Sequence, residues 1–384
     1  MKAYVFTDEA LTRHAGRFVW LSLDTEKETN AAVKKALGVS ALPTFFIVDS
    51  ADEHVAIRWV GGGSVAQMSR LMDAGIVAVK GGRHGDAATQ ALVRADRAYG
   101  EEKYAAAIPA YREALDRAPR DWPGTARVIE ALLFSYSQAD QPEELATLAR
   151  KSCPELRQTP SAALVASSGL DGALQLKPDH PERQTLVAFF EAAAREVLAD
   201  PSLKIAGDDL SGLYFSLESA RDDAKDTEGK RSLQEKHLAM LEREAAAATT
   251  PEQRAVYDPH RVNLYLALGS PEKALPMLLQ SERDLPEDYN PPARLVLAYK
   301  ALKQWPDALA ASDRALKLVY GPRRLVVLQA RADVYLGKGD LDAAKKTLAD
   351  AVSAAEAMPQ GQRSQRTIDG LKKKLAGIGA PATP

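Results

Sequence analysis

The sequence predicts two structural classes in one chain: a short α+β segment, then a long, mostly α-helical repeat array. Three observations predict it. Residues 1–75 gather their β-branched and aromatic residues into three short runs, whereas residues 85–375 are dominated by Ala, Leu, Glu, Arg, Lys and Asp at helix-compatible spacing. Between the two lies Lys80-Gly81-Gly82-Arg83-His84-Gly85, which reads as a hinge. In the second part Ala274 and Ala308 stand 34 residues apart, and Ala308 and Ala344 stand 36 apart, a period that signals stacked helical hairpins. At 384 residues the chain has room for two or three domains. The expected boundaries are an N-terminal domain at 1–78, a linker at 79–88, helical hairpins at 89–250 that diverge after 125, repeats at 251–376, and a disordered tail at 377–384.

Charge and cysteine content narrow the function. The net charge of −2 favours neither nucleic acid nor an anionic membrane surface. The longest apolar runs fall far short of a bilayer span, so no transmembrane segment is expected. The first residues turn acidic at Asp8-Glu9 before an apolar leader develops, so no signal peptide is read in them. A single cysteine, Cys153, excludes a disulfide framework and a cysteine-rich zinc site. It leaves the compartment open.

In the first segment, residues 7–16 read as a short helix with Thr7 or Asp8 at its N-cap. Residues 18–23 (Phe-Val-Trp-Leu-Ser-Leu) read as a strand. A second helix runs over 28–37 and stops at Gly38. Pro43 opens a strand at 44–48, a turn follows at 49–53, and 54–60 form a third strand. The third strand is antiparallel to the second, because the connection is too short for a crossover. Gly61-Gly62-Gly63 ends it, and Ser64 caps a last helix reaching about residue 74.

This order, with the helix end Leu37-Gly38-Val39, then Leu42-Pro43-Thr44-Phe45 and the glycines after the last strand, resembles thioredoxin-like proteins over residues 1–75. The resemblance implies a cis Leu42-Pro43 bond and a loop, Leu42, Pro43 and Thr44, that in dithiol enzymes presents backbone to an extended peptide. Taken alone, Pro43 is an ordinary proline at the start of an edge strand. The family's central strand and its Cys-X-X-Cys are absent, which leaves the strands at 18–23 and 44–48 each short of a ladder partner. Three readings stay open. The native start lies upstream and a longer product carries the strand, the dithiol and any signal peptide. Alternatively the domain is degenerate and redox-inactive. In the third, Ala3-Tyr4-Val5-Phe6 replaces the missing strand ahead of a shortened helix.

The helical part repeats a pattern of Ala, a large residue four positions on, a second Ala, and then Pro. Ala107, Tyr111, Ala114 and Pro119 fit it, as do Ala274, Leu278 and Pro286, Ala308 with Ala315, and Ala344 with Leu348 and Ala351. These positions look like tetratricopeptide repeats, one near 90–120 and three over 258–359. The small alanine lets two helices of a repeat approach, and the large residue fills space against the next. One such unit cannot bury its apolar face alone, so neighbours stack. Thr250-Pro251-Glu252-Gln253 reads as a capping box with Pro at the first helical position. Residues 126–250 lack the signature but show helical spacing over 128–137, 143–151, 161–174, 183–198, 208–224 and 230–246. They read as diverged hairpins of the same array or as a separate helical subdomain.

Other candidate chemistry is sparse. The six histidines have no metal-ligand spacing, and no His-Glu-x-x-His, Gly-x-Ser-x-Gly or Walker loop occurs. Cys153 reads as a small, partly buried residue at a helix end. Tyr257-Asp258-Pro259-His260-Arg261, Asp288-Tyr289-Asn290 and Tyr320-Gly321-Pro322-Arg323-Arg324 read as caps and inter-repeat turns. No catalytic, cofactor-binding or metal-binding residue is expected, and no cofactor. The resemblances imply a protein-interaction scaffold that holds a peptide or protein partner in its helical groove, beside a redox-inactive domain. The alternative is a thiol-disulfide oxidoreductase in which an upstream Cys-X-X-Cys acts and the repeats recruit substrates; dithiol exchange needs a thiolate beside a resolving thiol.

Overall fold

The computed structural model describes residues 1, 3–39, 42–81, 86–122, 124–203 and 205–378. These form two compact units. Unit 1 joins Met1–Val19 to Gly38–His237; unit 2 joins Trp20–Leu37, which carries helix α1 (Ala31–Ala36), to the chain from Leu238 onward.

Unit 1 opens with a 3-10 turn, Glu9–His14, whose N-cap Asp8 accepts from the Ala10 N–H at 2.9 Å. Strands β1 (Thr44–Val48) and β2 (Val55–Val60) form an antiparallel hairpin in which Phe45 faces Trp59 and Ile47 faces Ile57. Period-two alternation puts these four side chains on one face. There they share a core with Val5, Leu11 and, from helix α2 (Val65–Gly81), Met68, Leu71 and Met72. On the other face the Arg58 guanidinium lies 5.6 Å from the Phe46 ring centroid. Helix α2 starts in a capping box: Ser64 Oγ accepts from Gln67 N–H at 3.3 Å, and Gln67 Oε1 accepts from Ser64 N–H at 2.8 Å. It continues past the expected stop near 74, because Ala74 and Ala78 carry its apolar stripe on into the same core.

Two expectations fail here. Residues 18–23 are not a strand; Val19 and Leu21 stand 88% and 78% exposed. Among the described residues the sheet is β1–β2 alone. A strand keeps its conformation only where its N–H and C=O groups find a ladder, so β-propensity without a partner leaves extended chain. Residues 3–6 do not replace the missing strand. They form a turn in which Tyr4, Val5 and Phe6 donate to the Met1 carbonyl. The Leu42-Pro43 bond is cis, as the resemblance implies. The two-stranded sheet does not establish a thioredoxin fold.

The rest of unit 1 is helical: α3 (Ala87–Gly100), α4 (Tyr104–Arg117), α5 (Thr125–Gln138), α6 (Pro142–Leu156), α7 (Ala162–Gln175), α8 (Arg183–Ala199), α9 (Gly207–Asp223) and α10 (Thr227–Ala247) as far as His237. All six helices expected between 126 and 250 form. Consecutive helices from α3 to α9 pack together, and α7 also adjoins α5 and α9. With Asp96 of α3 paired to Arg127 of α5, these odd-numbered helices make one layer. Small residues set the close approaches. A Cβ on Gly169 would lie 2.2 Å from the Phe190 ring. The expected linker at 79–88 is helix through Gly81, and 82–85 lie outside the described residues.

Unit 2 continues with α11 (Pro251–Ala255), α12 (Asp258–Ala267), α13 (Ala274–Asp284), α14 (Asn290–Ala301), α15 (Trp305–Leu318), α16 (Arg323–Lys338), α17 (Leu341–Glu356) and α18 (Gln365–Ala376). Here α14 adjoins α12 and α16, repeating the two-layer arrangement. The cap at α11 differs in detail from the expected box. Thr250 Oγ1 accepts from Gln253 N–H at 3.2 Å, but the Gln253 carboxamide returns to Thr249 N–H at 3.0 Å. Residues 24–31 lie on the inter-repeat turns. Tyr320 donates to Asp24, Arg323 pairs with Glu26 at 3.3 Å, and Gln362 donates to the Glu26 carbonyl at 2.9 Å. The expected disordered tail falls largely on 379–384, outside the described residues.

Candidate functional site

The repeat-signature residues occupy packing positions. Ala107, Tyr111 and Ala114 on α4, Ala274 and Leu278 on α13, Ala308 and Ala315 on α15, and Ala344, Leu348 and Ala351 on α17 are buried at helix crossings. Pro119 and Pro286 lie just beyond the ends of α4 and α13. None of them points to a ligand; they set how close the helices come.

Pro43 accepts from the Gly61 N–H at 2.9 Å through its carbonyl, and Leu42 is exposed. Cys153 sits inside the last turn of α6, half-buried, where desolvation and then the nearby Glu196 push its thiol up and keep it protonated. It is not a thiolate nucleophile.

Two constellations emerge that sequence spacing concealed. Ser211 on α9 and His237 on α10 meet at 3.0 Å, with Glu218 3.7 Å from the other imidazole nitrogen. Serine, imidazole and carboxylate in this order suggest a hydrolase, but Ser211 and His237 are 1% and 0% exposed. A nucleophile must meet substrate, and a sealed hydroxyl pins α9 to α10 instead. Asp49, Asp52 and His54 converge at the β1–β2 turn, where one ligand atom from each lies within 4.8 Å of the others. His54 is already bonded to Asp52 at 2.5 Å, and the group stands at the surface.

Two of the concavities among the described residues combine apolar walls with charged groups. In unit 2 a hollow of about 550 Å³ opens between α16, the start of α17 and α18. Leu336, Leu341 and Ile378 give it apolar walls, and Lys373 and Lys374 stand at its side. Lys374 lies 2.6 Å and Lys300 4.0 Å from opposite oxygens of Asp333. Two lysines thus flank one carboxylate, and Lys373 stands beside them at the wall of the hollow. In unit 1 a cavity of about 130 Å³ lies among β2, α3, α5 and α7, lined by Arg58, Trp59, Tyr99, Glu130, Ser168 and Asp171.

Glu130, which is buried, and Asp171 line this second cavity, and Asp209 lies on α9. Desolvation raises Glu130 and Asp171, and desolvation together with the Glu130 and Asp208 charges raises Asp209 to about 7. Unfolded, Asp209 ionises near 3.8; folded, it holds its proton to about 7. The folded state therefore binds the extra proton between these values, and stability falls as pH rises through that window. The slope approaches ~1.4 kcal/mol per pH unit. Urea titrations of the wild type from pH 4 to 8 will show the decline. Asp209→Asn will flatten most of it, and an unchanged profile in that variant would refute the assignment.

The family model "Tetratricopeptide repeat" matches residues 326–358, which take in most of the α16–α17 hairpin. No curated protein sequence matches the chain. Among solved structures, the TPR2AB domain of yeast Sti1 in its pHSP90 complex is 16% identical, covers 75% of this chain and 98% of its own, and has a TM-score of 0.28. TTC0263, a thermophilic TPR protein of Thermus thermophilus, is 16% identical with 76% and 98% coverage and a TM-score of 0.26. Superpositions that loose carry no weight for the arrangement of this chain. No comparison shows a thioredoxin-like domain. What the comparisons show is one tetratricopeptide-repeat unit, residues 326–358, within the helical array.

Proposed function

We propose that the chain is a non-catalytic interaction scaffold and that unit 2 holds its partner peptide in the hollow between α16 and α18. The carrying observation is that hollow: apolar walls from Leu336, Leu341 and Ile378 beside the ammonium groups of Lys373 and Lys374. An apolar anchor gives affinity, and an acidic neighbour gives orientation. The β1–β2–α2 segment is, in this reading, a redox-inactive thioredoxin-like piece. Its strand–strand–helix order supports that assignment. The domain limits and the repeat-signature residues named above belong to the same proposal.

The test is selection of a displayed random-peptide library on the immobilised chain. Enriched peptides are expected to share an apolar residue flanked by Asp or Glu. Lys373→Ala combined with Lys374→Ala should weaken them at least tenfold, with the loss shrinking at high salt. Enriched peptides that bind the double variant equally well would move the site elsewhere.

A further inference from the structure

The odd-numbered layer of unit 1 is not bare. The corner between β2 and α2, residues 58–67, lies across it. Strand β2 packs on α3, and Arg58 reaches the far end of that helix, donating to Glu102 at 2.6 Å. Gly62 comes within reach of α9, where a Cβ on it would stand 3.7 Å from the Asp208 carboxylate. Gln67 donates to Glu130 of α5 at 3.0 Å in a buried contact. Trp59 lines the cavity against α5 and α7, and its indole N–H is turned back to the Gly62 carbonyl at 2.9 Å.

We infer that residues 58–67 act as a built-in ligand of the α3–α5–α7–α9 face, and that this face recognises an extended, glycine-rich peptide bearing a side-chain amide. Three features distinguish this contact from a permanent core. The crossing segment is backbone-rich, with Gly61-Gly62-Gly63 letting its main chain approach the helices. The contact leaves a cavity of about 130 Å³ beside α5 and α7, partly open to solvent, where a permanent core is closed and filled. It also leaves the buried Arg58 Nε without a hydrogen-bond partner, which a fitted core avoids. An imperfect fit exchanges readily with a better ligand. This face belongs to unit 1 and is separate from the lysine-rimmed hollow of unit 2.

The probe is a fluorescein-labelled synthetic peptide of residues 56–69, titrated into the full chain at pH 8.5 and read by anisotropy. Gln67→Glu keeps the capping box, since Glu serves there as well as Gln, but sets a second carboxyl against Glu130. It should release the corner, and the peptide should bind this variant at least tenfold tighter than wild type. Adding Glu130→Gln restores a carboxamide–carboxylate bond in cis and should return binding to within twofold of wild type. A folded Gln67→Glu chain, judged by circular dichroism, that binds no tighter than wild type would overturn the inference. Hydrogen exchange of the wild type decides independently of any variant. The amides of 58–67 should open at least tenfold more readily than those of α5 and α7. Equal protection would make the contact part of the core and overturn the inference. Neither measurement involves Lys373 or Lys374, so failure here leaves the unit 2 site standing.

Discussion

Asp96→Ala is expected to destabilise unit 1 by about 3–5 kcal/mol. Asp96 is buried on α3, and Arg127 from α5 donates to both of its oxygens, at 2.9 and 2.8 Å. Tyr111 of α4 donates to the same carboxylate at 2.8 Å. The three helices of the first hairpin and its neighbour are thus tied at one acid. Burial works against the Arg127 charge, and the Asp96 carboxylate outweighs it, so the guanidinium holds its proton more tightly than usual. Removing the acid strands a buried cation and a buried phenol together, and the unpaired charge dominates the loss. Replacing both charged partners by apolar residues, Asp96→Leu with Arg127→Met, should recover most of it, because a pair of desolvated ions adds little net stability of its own. Urea unfolding with hydrogen exchange of α3–α5 as the readout separates these cases. A loss below about 1 kcal/mol for Asp96→Ala would show that the network is not sealed from water.

How far the sequence discloses such features depends on whether they repeat. Helices were legible because each recurs at helical spacing, and the alanines at 274, 308 and 344 were legible because stacking needs a small residue at every crossing. The Asp96 network was less so, yet it left a mark: an acid beside the apolar row Ala88, Ala91, Ala95, Tyr99, and an arginine beside Val128 and Leu132. Charged residues on a buried stripe must find each other. Residues 18–23 show the opposite case. Their β-branched and aromatic content favours a strand, but a strand is a property of a pair, and the described sheet offers no place beside it. The Ser211–His237–Glu218 group and the Gln67–Glu130 contact join positions with no shared period, so nothing local announces them. The same holds for residues 20–37, which fold with unit 2 although they sit between two stretches of unit 1.

That last attachment can be broken at two glycines. Gly321 has φ +58°, and a Cβ on it would lie 2.2 Å from the Glu26 carbonyl oxygen. Gly361 has no such backbone constraint, but its Cβ would lie 2.2 Å from the Ala31 carbonyl oxygen. In both cases the obstacle is main chain, which cannot swing aside as a side-chain tip can. Gly361→Ala is therefore expected to cost roughly 1–3 kcal/mol of docking through overlap alone. Gly321→Ala adds roughly 1 kcal/mol for a left-handed residue bearing a Cβ. The cost falls on the attachment of 24–31 and not on the hairpins, because Tyr320, Arg323 and Gln362 lie on turns and a helix start outside the alanine crossings. Amide exchange in 24–31 should accelerate about tenfold or more, while α13 to α15 keep their protection. Gly370→Ala, where a Cβ meets nothing within 4 Å, is the control and should leave 24–31 unchanged. Equal exchange in Gly361→Ala and wild type would mean that the segment docks through its side chains. The carbonyl contacts with Gly361 and Gln362 would then follow from the docking without securing it.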